Sequence, residues 1–192
     1  MNNKKILFIN ACDRPDSRTK RLADALLSHL KGEVTEIRLA DEGLTPLSYE
    51  ELMRREACIA AGEYDDPAFR YAKAFAGADE IVLAAPYWDM SFPSEVKVFV
   101  ERISVRGLTF TFTPQGEPVG LCRAKRLWYV ATMGAEGLPF DYGFGYIKGV
   151  CGVYYGIPEI RLISACGLDL DGRDAEAIIA EKEREISEIP SD

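Results

Sequence analysis

Histidine occurs once in the 192 residues, at His29, and the five cysteines, Cys12, Cys58, Cys122, Cys151 and Cys166, contain no Cys-x-x-Cys pair. A Ser-His or Cys-His nucleophilic system therefore has little to build on. A chain of this size does not need disulfide staples, so reduced thiols of a cytoplasmic protein are the expectation. Basic clusters are missing too: 23 Lys and Arg stand against 31 Asp and Glu, a net charge of −8 with pI near 4.9. Nucleic acids and anionic membranes are held by clustered cations, which argues against both as partners, and any phosphate must be captured locally. No apolar run approaches the roughly 20 residues that span a bilayer. Two lysines ahead of an apolar run in residues 1–12 imitate a secretory leader, but Asp13 and Arg14 cut that run short, and a buried first strand explains it better. Acidic groups around Asp65, Asp66 and residues 181–188 lack metal-ligand spacing, so no metal site is expected and solvated faces explain them.

What is present is regular. Apolar runs at residues 6–10, 80–85, 127–132 and 160–165 predict buried strands, and 33–39 alternates as a strand nearer an edge. Helical spacing recurs between them, with Leu22, Leu26 and Leu30 on one stripe, Val96, Phe99, Val100 and Ile103 on a second, and Ala175, Ile178, Ile179 and Ile186 on a third. Alternating strands and helices predict an α/β fold, a doubly wound five-stranded parallel sheet with helices on both faces, within one domain spanning 1–192. The polar stretch 41–67 predicts an excursion with a short helix. Residues 108–113 alternate strictly before a turn at Pro114, Gln115 and Gly116, which predicts a β-hairpin excursion.

In such sheets ligands sit beyond the carboxyl ends of the strands, where strand order reverses; for a flavodoxin-like order, 2-1-3-4-5, that is between the first and third strands. Three loops then matter. The first carries Cys12, Asp13, Arg14, Pro15, Asp16, Ser17, Arg18 and Thr19 into the first helix. Its hydroxyls, with the unpaired N–H groups and dipole of a helix N-terminus, suit a phosphate monoester, with Arg14 and Arg18 adding local charge; simple capping by Ser17 fits the same pattern. The second loop sets Pro86, Tyr87, Trp88, Asp89 and Met90 directly after a buried strand. Exposed aromatics are costly unless they cover something flat and apolar, such as an isoalloxazine ring, although core or subunit packing would also hide them. The third loop, 132–137, begins Thr132, Met133, Gly134, where a glycine would let backbone donors approach a ring that gains negative charge; an ordinary turn competes.

Residues 85–120, with Ala85, the loop from Pro86 through Pro93, then Lys97, Phe99, Glu101, Arg102, Ile103 and the run Gly107, Leu108, Thr109, Phe110, Thr111, Phe112, resemble the FMN-dependent NAD(P)H oxidoreductases of the quinone reductase and azoreductase family. Ser17, Arg18 and Thr19 resemble the family's phosphate loop, and residues 118–121 the entry to its fourth strand, so the resemblance spans nearly the whole chain. It implies a flavodoxin-like homodimer with FMN in sites at the subunit interface. Ser17, Arg18 and Thr19 would hold the phosphate, Pro86, Tyr87, Trp88, Asp89 and Met90 would line the ring, and Thr132, Met133 and Gly134 would meet its pyrimidine edge. It further implies NADH or NADPH as hydride donor and a small aromatic, quinone or azo acceptor, in a ping-pong cycle. Many relatives carry Asn at Asp89 and a second glycine at Ala135. An ionised Asp89 facing reduced flavin would be repulsive, so backbone contacts are expected there. Ala11 replaces a hydroxyl residue of some relatives. Tyr87, Tyr142 or solvent could protonate the acceptor.

Three competing patterns are weaker. A flavodoxin-type electron carrier would need no substrate cavity, and the hairpin speaks against it. A phospho-acceptor domain using Asp89 would require two acids after the first strand, where only Asp13 stands. Gly143, Gly145 and Gly149 imitate a dinucleotide fingerprint with the wrong spacing and place, and helix packing is the expected reason for them.

Overall fold

A computed structural model describes residues 3–136 and 142–190. Five parallel strands, β1 (Lys5–Asn10), β2 (Glu33–Arg38), β3 (Glu80–Ala84), β6 (Arg126–Thr132) and β7 (Glu159–Ala165), form one sheet in the order β2-β1-β3-β6-β7. Strands β4 (Phe110–Phe112) and β5 (Pro118–Gly120) pair antiparallel as the expected hairpin, so the sheet strands counted alone run 2-1-3-4-5.

Strand periodicity splits the core between the two faces. Leu7, Ile9, Ile81, Leu83, Leu127 and Tyr129 join Tyr71 and Phe75 of helix α3 (Arg70–Gly77) and the buried residues of α4 (Ser94–Ile103). Ile6, Phe8, Val82, Trp128 and Val130 face the opposite way, under α1 (Arg18–His29) and α6 (Ala175–Ser187). The stripe on α4 is buried throughout, whereas on α6 only Ile179 and Ile186 are fully so. Strand β2, at the sheet edge, buries little beyond Ile37.

The 41–67 excursion carries the expected helix, longer than foreseen: α2 (Tyr49–Ala61) runs 13 residues and starts from a complete capping box between Ser48 and Glu51. Only Arg55 is buried on it, which is why no apolar stripe announces it. The glycine-rich segment forms α5 (Phe144–Gly149) and a π-helical turn (Val150–Tyr154), but among the described residues a Cβ at Gly145 or Gly149 would meet nothing within 4 Å, so packing against those residues does not explain the two glycines. Gly120 is different: a Cβ there would collide with the backbone of Tyr155 and Gly156, where Gly156 turns at φ +73°, and this contact seats the hairpin.

Candidate functional site

The strands end together. Hydrogen bonds from Ala11 N to Ala84 O (2.9 Å), Ala85 N to Val130 O (2.9 Å), Tyr87 N to Thr132 O (3.0 Å) and Met133 N to Ala165 O (2.9 Å) carry the ladder just past each carboxyl end. The chains then part, and a cavity of about 460 Å³ opens between them. That lies within the range of roughly 300–1,000 Å³ usual for small-molecule sites.

Nine of the eleven residues singled out from the sequence line it: Ser17, Arg18, Thr19, Pro86, Tyr87, Trp88, Thr132, Met133 and Gly134. Asp89 and Met90 do not. Reciprocal bonds between Trp88 and Ser91, N to O at 3.1 and 2.8 Å, close a tight two-residue turn with Asp89 and Met90 at its tip, at φ 49° and 66°. Asp13 lines the cavity and Asp89 does not, so the two acids share no site. Gly137, at the end of the third loop, lies outside the described residues.

On α1, the Ser17 hydroxyl accepts from Lys20 N (3.2 Å) as the N-cap, and Arg21 N makes the first main-chain helical bond, to Ser17 O (3.0 Å). The main-chain N–H groups of Arg18 and Thr19 precede that bond at the positive end of the helix dipole. Capping uses Ser17 Oγ only as acceptor, so its proton stays available to a ligand and the two roles do not compete. Thr19 is buried, with Oγ1 2.6 Å from Thr132 Oγ1, which ties the first loop to the third. Asn10, wholly buried, shapes the first loop by accepting from Cys12 N (2.9 Å) while donating to Glu36 Oε1 (2.8 Å). Burial pushes the Cys12 thiol up to about 11, so it stays protonated at neutral pH. All five cysteines are free.

Trp88 is 40% exposed at the rim rather than packed in the core. Gly134 needs its missing side chain for a reason not visible in the sequence: a Cβ there would collide with Asp169. Leu168 and Asp169, on the loop after β7, are further cavity walls that nothing in their local sequence pattern marks. His29, at the far end of α1, contacts Ile189 O through Nε2. Among the described residues no cluster suits a metal ion and no helix is long and apolar enough to cross a membrane.

A family model described as a flavodoxin-like fold matches residues 4–189. An FMN-dependent NADH:quinone oxidoreductase of Clostridium acetobutylicum is 34% identical, over 91% of this chain and 92% of its own. The chain belongs to the quinone reductase and azoreductase family. Another member, an FMN-dependent NADH:quinone oxidoreductase of Clostridium beijerinckii, is 32% identical over 92% of this chain and 93% of its own. Two solved structures superpose closely: an azoreductase from Bacillus anthracis (TM-score 0.84, 23% identity, 97% of this chain and 98% of that one) and an FMN-dependent NADH-azoreductase from the same species in complex with FMN (TM-score 0.80, 20% identity, 98% and 97%). At those identities the superpositions speak for the fold.

Proposed function

We propose that residues 1–192 act as one FMN-binding domain of a cytoplasmic NAD(P)H-dependent oxidoreductase that reduces a quinone, azo compound or similar flat acceptor by a ping-pong cycle. The observation that carries this is the convergence of the phosphate-type loop, the aromatic loop and the glycine loop on one cavity at the strand ends. When bound, FMN supplies a ring that takes a hydride from the nicotinamide and passes it to the acceptor.

The residues fit that group. Ser17 offers a hydroxyl proton, and Arg18 and Thr19 offer N–H groups, to the phosphate. Tyr87 and Trp88 give one wall an aromatic surface, and the backbone of Met133 and Gly134 supplies polar groups along another. Asp89 sits on the turn tip, which keeps its carboxylate off the cavity wall. Tyr87 lines the cavity, which supports it, beside solvent, as a proton donor to the acceptor. The five free thiols support a reducing compartment.

The homodimer reading is supported by an exposed aromatic cluster. Phe110, Phe112 and Tyr154 touch edge to face with ring centroids 5.4, 5.6 and 6.3 Å apart, and Phe112 and Tyr154 are exposed. A second copy of this chain is the occupant proposed for it.

The deciding experiment is an anaerobic visible spectrum of the purified, FMN-loaded protein, followed by steady-state turnover with a quinone. Bleaching by NADH or NADPH and parallel double-reciprocal lines are expected. A flavin that neither nucleotide bleaches would leave an electron carrier instead, and intersecting lines would overturn the ping-pong cycle.

A further inference from the structure

The loop after β7 places a carboxylate where an anionic ligand would arrive. Arg18 Nη1 lies 3.2 Å from Asp169 Oδ1 and 3.5 Å from Leu168 O. The backbone fixes that carboxylate: Gly167 N bonds to Ala135 O (3.0 Å), Leu168 N to Met133 O (3.3 Å) and Asp169 N to Gly134 O (3.2 Å), zipping this loop to the one after β6. The Asp169 side chain fills the space over Gly134 that any other residue there would claim. The cavity lining holds three acids, Asp13, Asp16 and Asp169, against two bases, Arg14 and Arg18, so one of its two guanidiniums is already committed to a carboxylate.

We propose that Asp169 is a positioning residue that holds Arg18 and sets how strongly the cavity takes a phosphate-bearing ligand, because capture requires Arg18 to exchange the carboxylate for the phosphate. This rests on the FMN reading above. A phosphate monoester carries about −1.5 to −2 charges at neutral pH, whereas the uncharged parent flavin carries none, so the effect must follow the phosphate and not the ring. The pair is solvent-accessible, so its influence is modest and salt-sensitive.

The test measures FMN and riboflavin binding, by quenching of flavin fluorescence, to the wild type, Asp169→Asn, Arg18→Gln and the double variant at low and high salt. Asn preserves the shape over Gly134 while removing the charge, and Asp169→Ser is the smaller alternative if Asn disturbs the loop. Asp169→Asn is expected to tighten FMN roughly three- to fivefold at low salt, the upper end of one exposed charge interaction. Riboflavin should change by less than about twofold, and the FMN gain should shrink at high salt and vanish in the Arg18→Gln background. Equal gains for both flavins, no gain at all, or a gain that persists without Arg18 would overturn the proposal alone. A wild type that takes up no FMN would overturn the cofactor reading and this inference with it.

Discussion

Asp89 and Met90 hold left-handed backbone, φ 49° and 66°, at the tip of a turn that favours Asn and Gly at these two positions. Each such non-glycine residue costs about 1–2 kcal/mol, and the strain sits beside Trp88 at the cavity rim. Met90→Gly is therefore expected to stabilise the protein by about 1 kcal/mol, raising Tm by about 2–4 °C. A calorimetric scan showing a lower Tm would mean that Met90 packs for stability instead. Ser17→Ala removes the helix cap and, on the FMN reading, one charge-assisted hydrogen bond. Stability should fall by about 1 kcal/mol. FMN should bind about tenfold or more weakly, following the roughly 1.5–3 kcal/mol of such a bond, and unchanged FMN affinity would show that the phosphate lies elsewhere. Ser17 and Trp88 were legible because each follows a recognisable buried strand. Asp169 was not, because its importance comes from contacts with Arg18 and Gly134, distant in sequence, that only the fold creates.

Strands were the most legible elements, since a parallel sheet covered on both faces demands uninterrupted apolar runs, as in the wholly buried β3. Helix α3 escaped notice because its buried Tyr71, Ala72 and Phe75 crowd into two turns ending at Gly77. Helix α2 was legible only as an unplaced short helix within 41–67, because its one buried residue is a cation, although the Ser48 and Glu51 capping box marks its start. Arg55 reaches the carboxyl end of α4, donating from Nη1 to Glu101 O (3.2 Å) and from Nη2 to Ser104 O (3.0 Å). That is the end of the helix dipole that attracts positive charge. Arg55→Met keeps the apolar stem and strips the donors, leaving those carbonyls unsatisfied. We expect a loss of about 2 kcal/mol, with faster hydrogen exchange concentrated in α2. Exchange that rises evenly over the sheet instead would show that α2 does not depend on this contact.

At the scale of the whole molecule, charge and surface shape act together. Backbone donation from Lys5 N, aided by Arg123, holds Asp79 below the usual carboxylate range, and Arg126 and Arg21 do the same for Glu159 and Glu183. A lowered folded-state pKa adds stability above the unfolded value, near 4, and loses it as pH falls. Denaturant midpoints should accordingly stay level from neutrality to about pH 5 and drop below about pH 4, and a midpoint that rises on acidification would contradict these pairings. A net charge of −8 disperses molecules in solution, so any stable self-association must come from a local apolar face. On the homodimer proposed above, the exposed aromatic cluster of Phe110, Phe112 and Tyr154 supplies that face. Phe112 is 44% exposed, so Phe112→Glu disturbs little inside one subunit but buries a charge in a symmetric contact, twice over. Sedimentation at micromolar concentration should show a dimer for the wild type and a monomer for this variant with unchanged far-UV circular dichroism. Quinone turnover should fall with the dimer if the acceptor site is shared between subunits. A variant that stays dimeric would move the interface elsewhere, and a monomeric variant with full turnover would place the entire acceptor site within one chain.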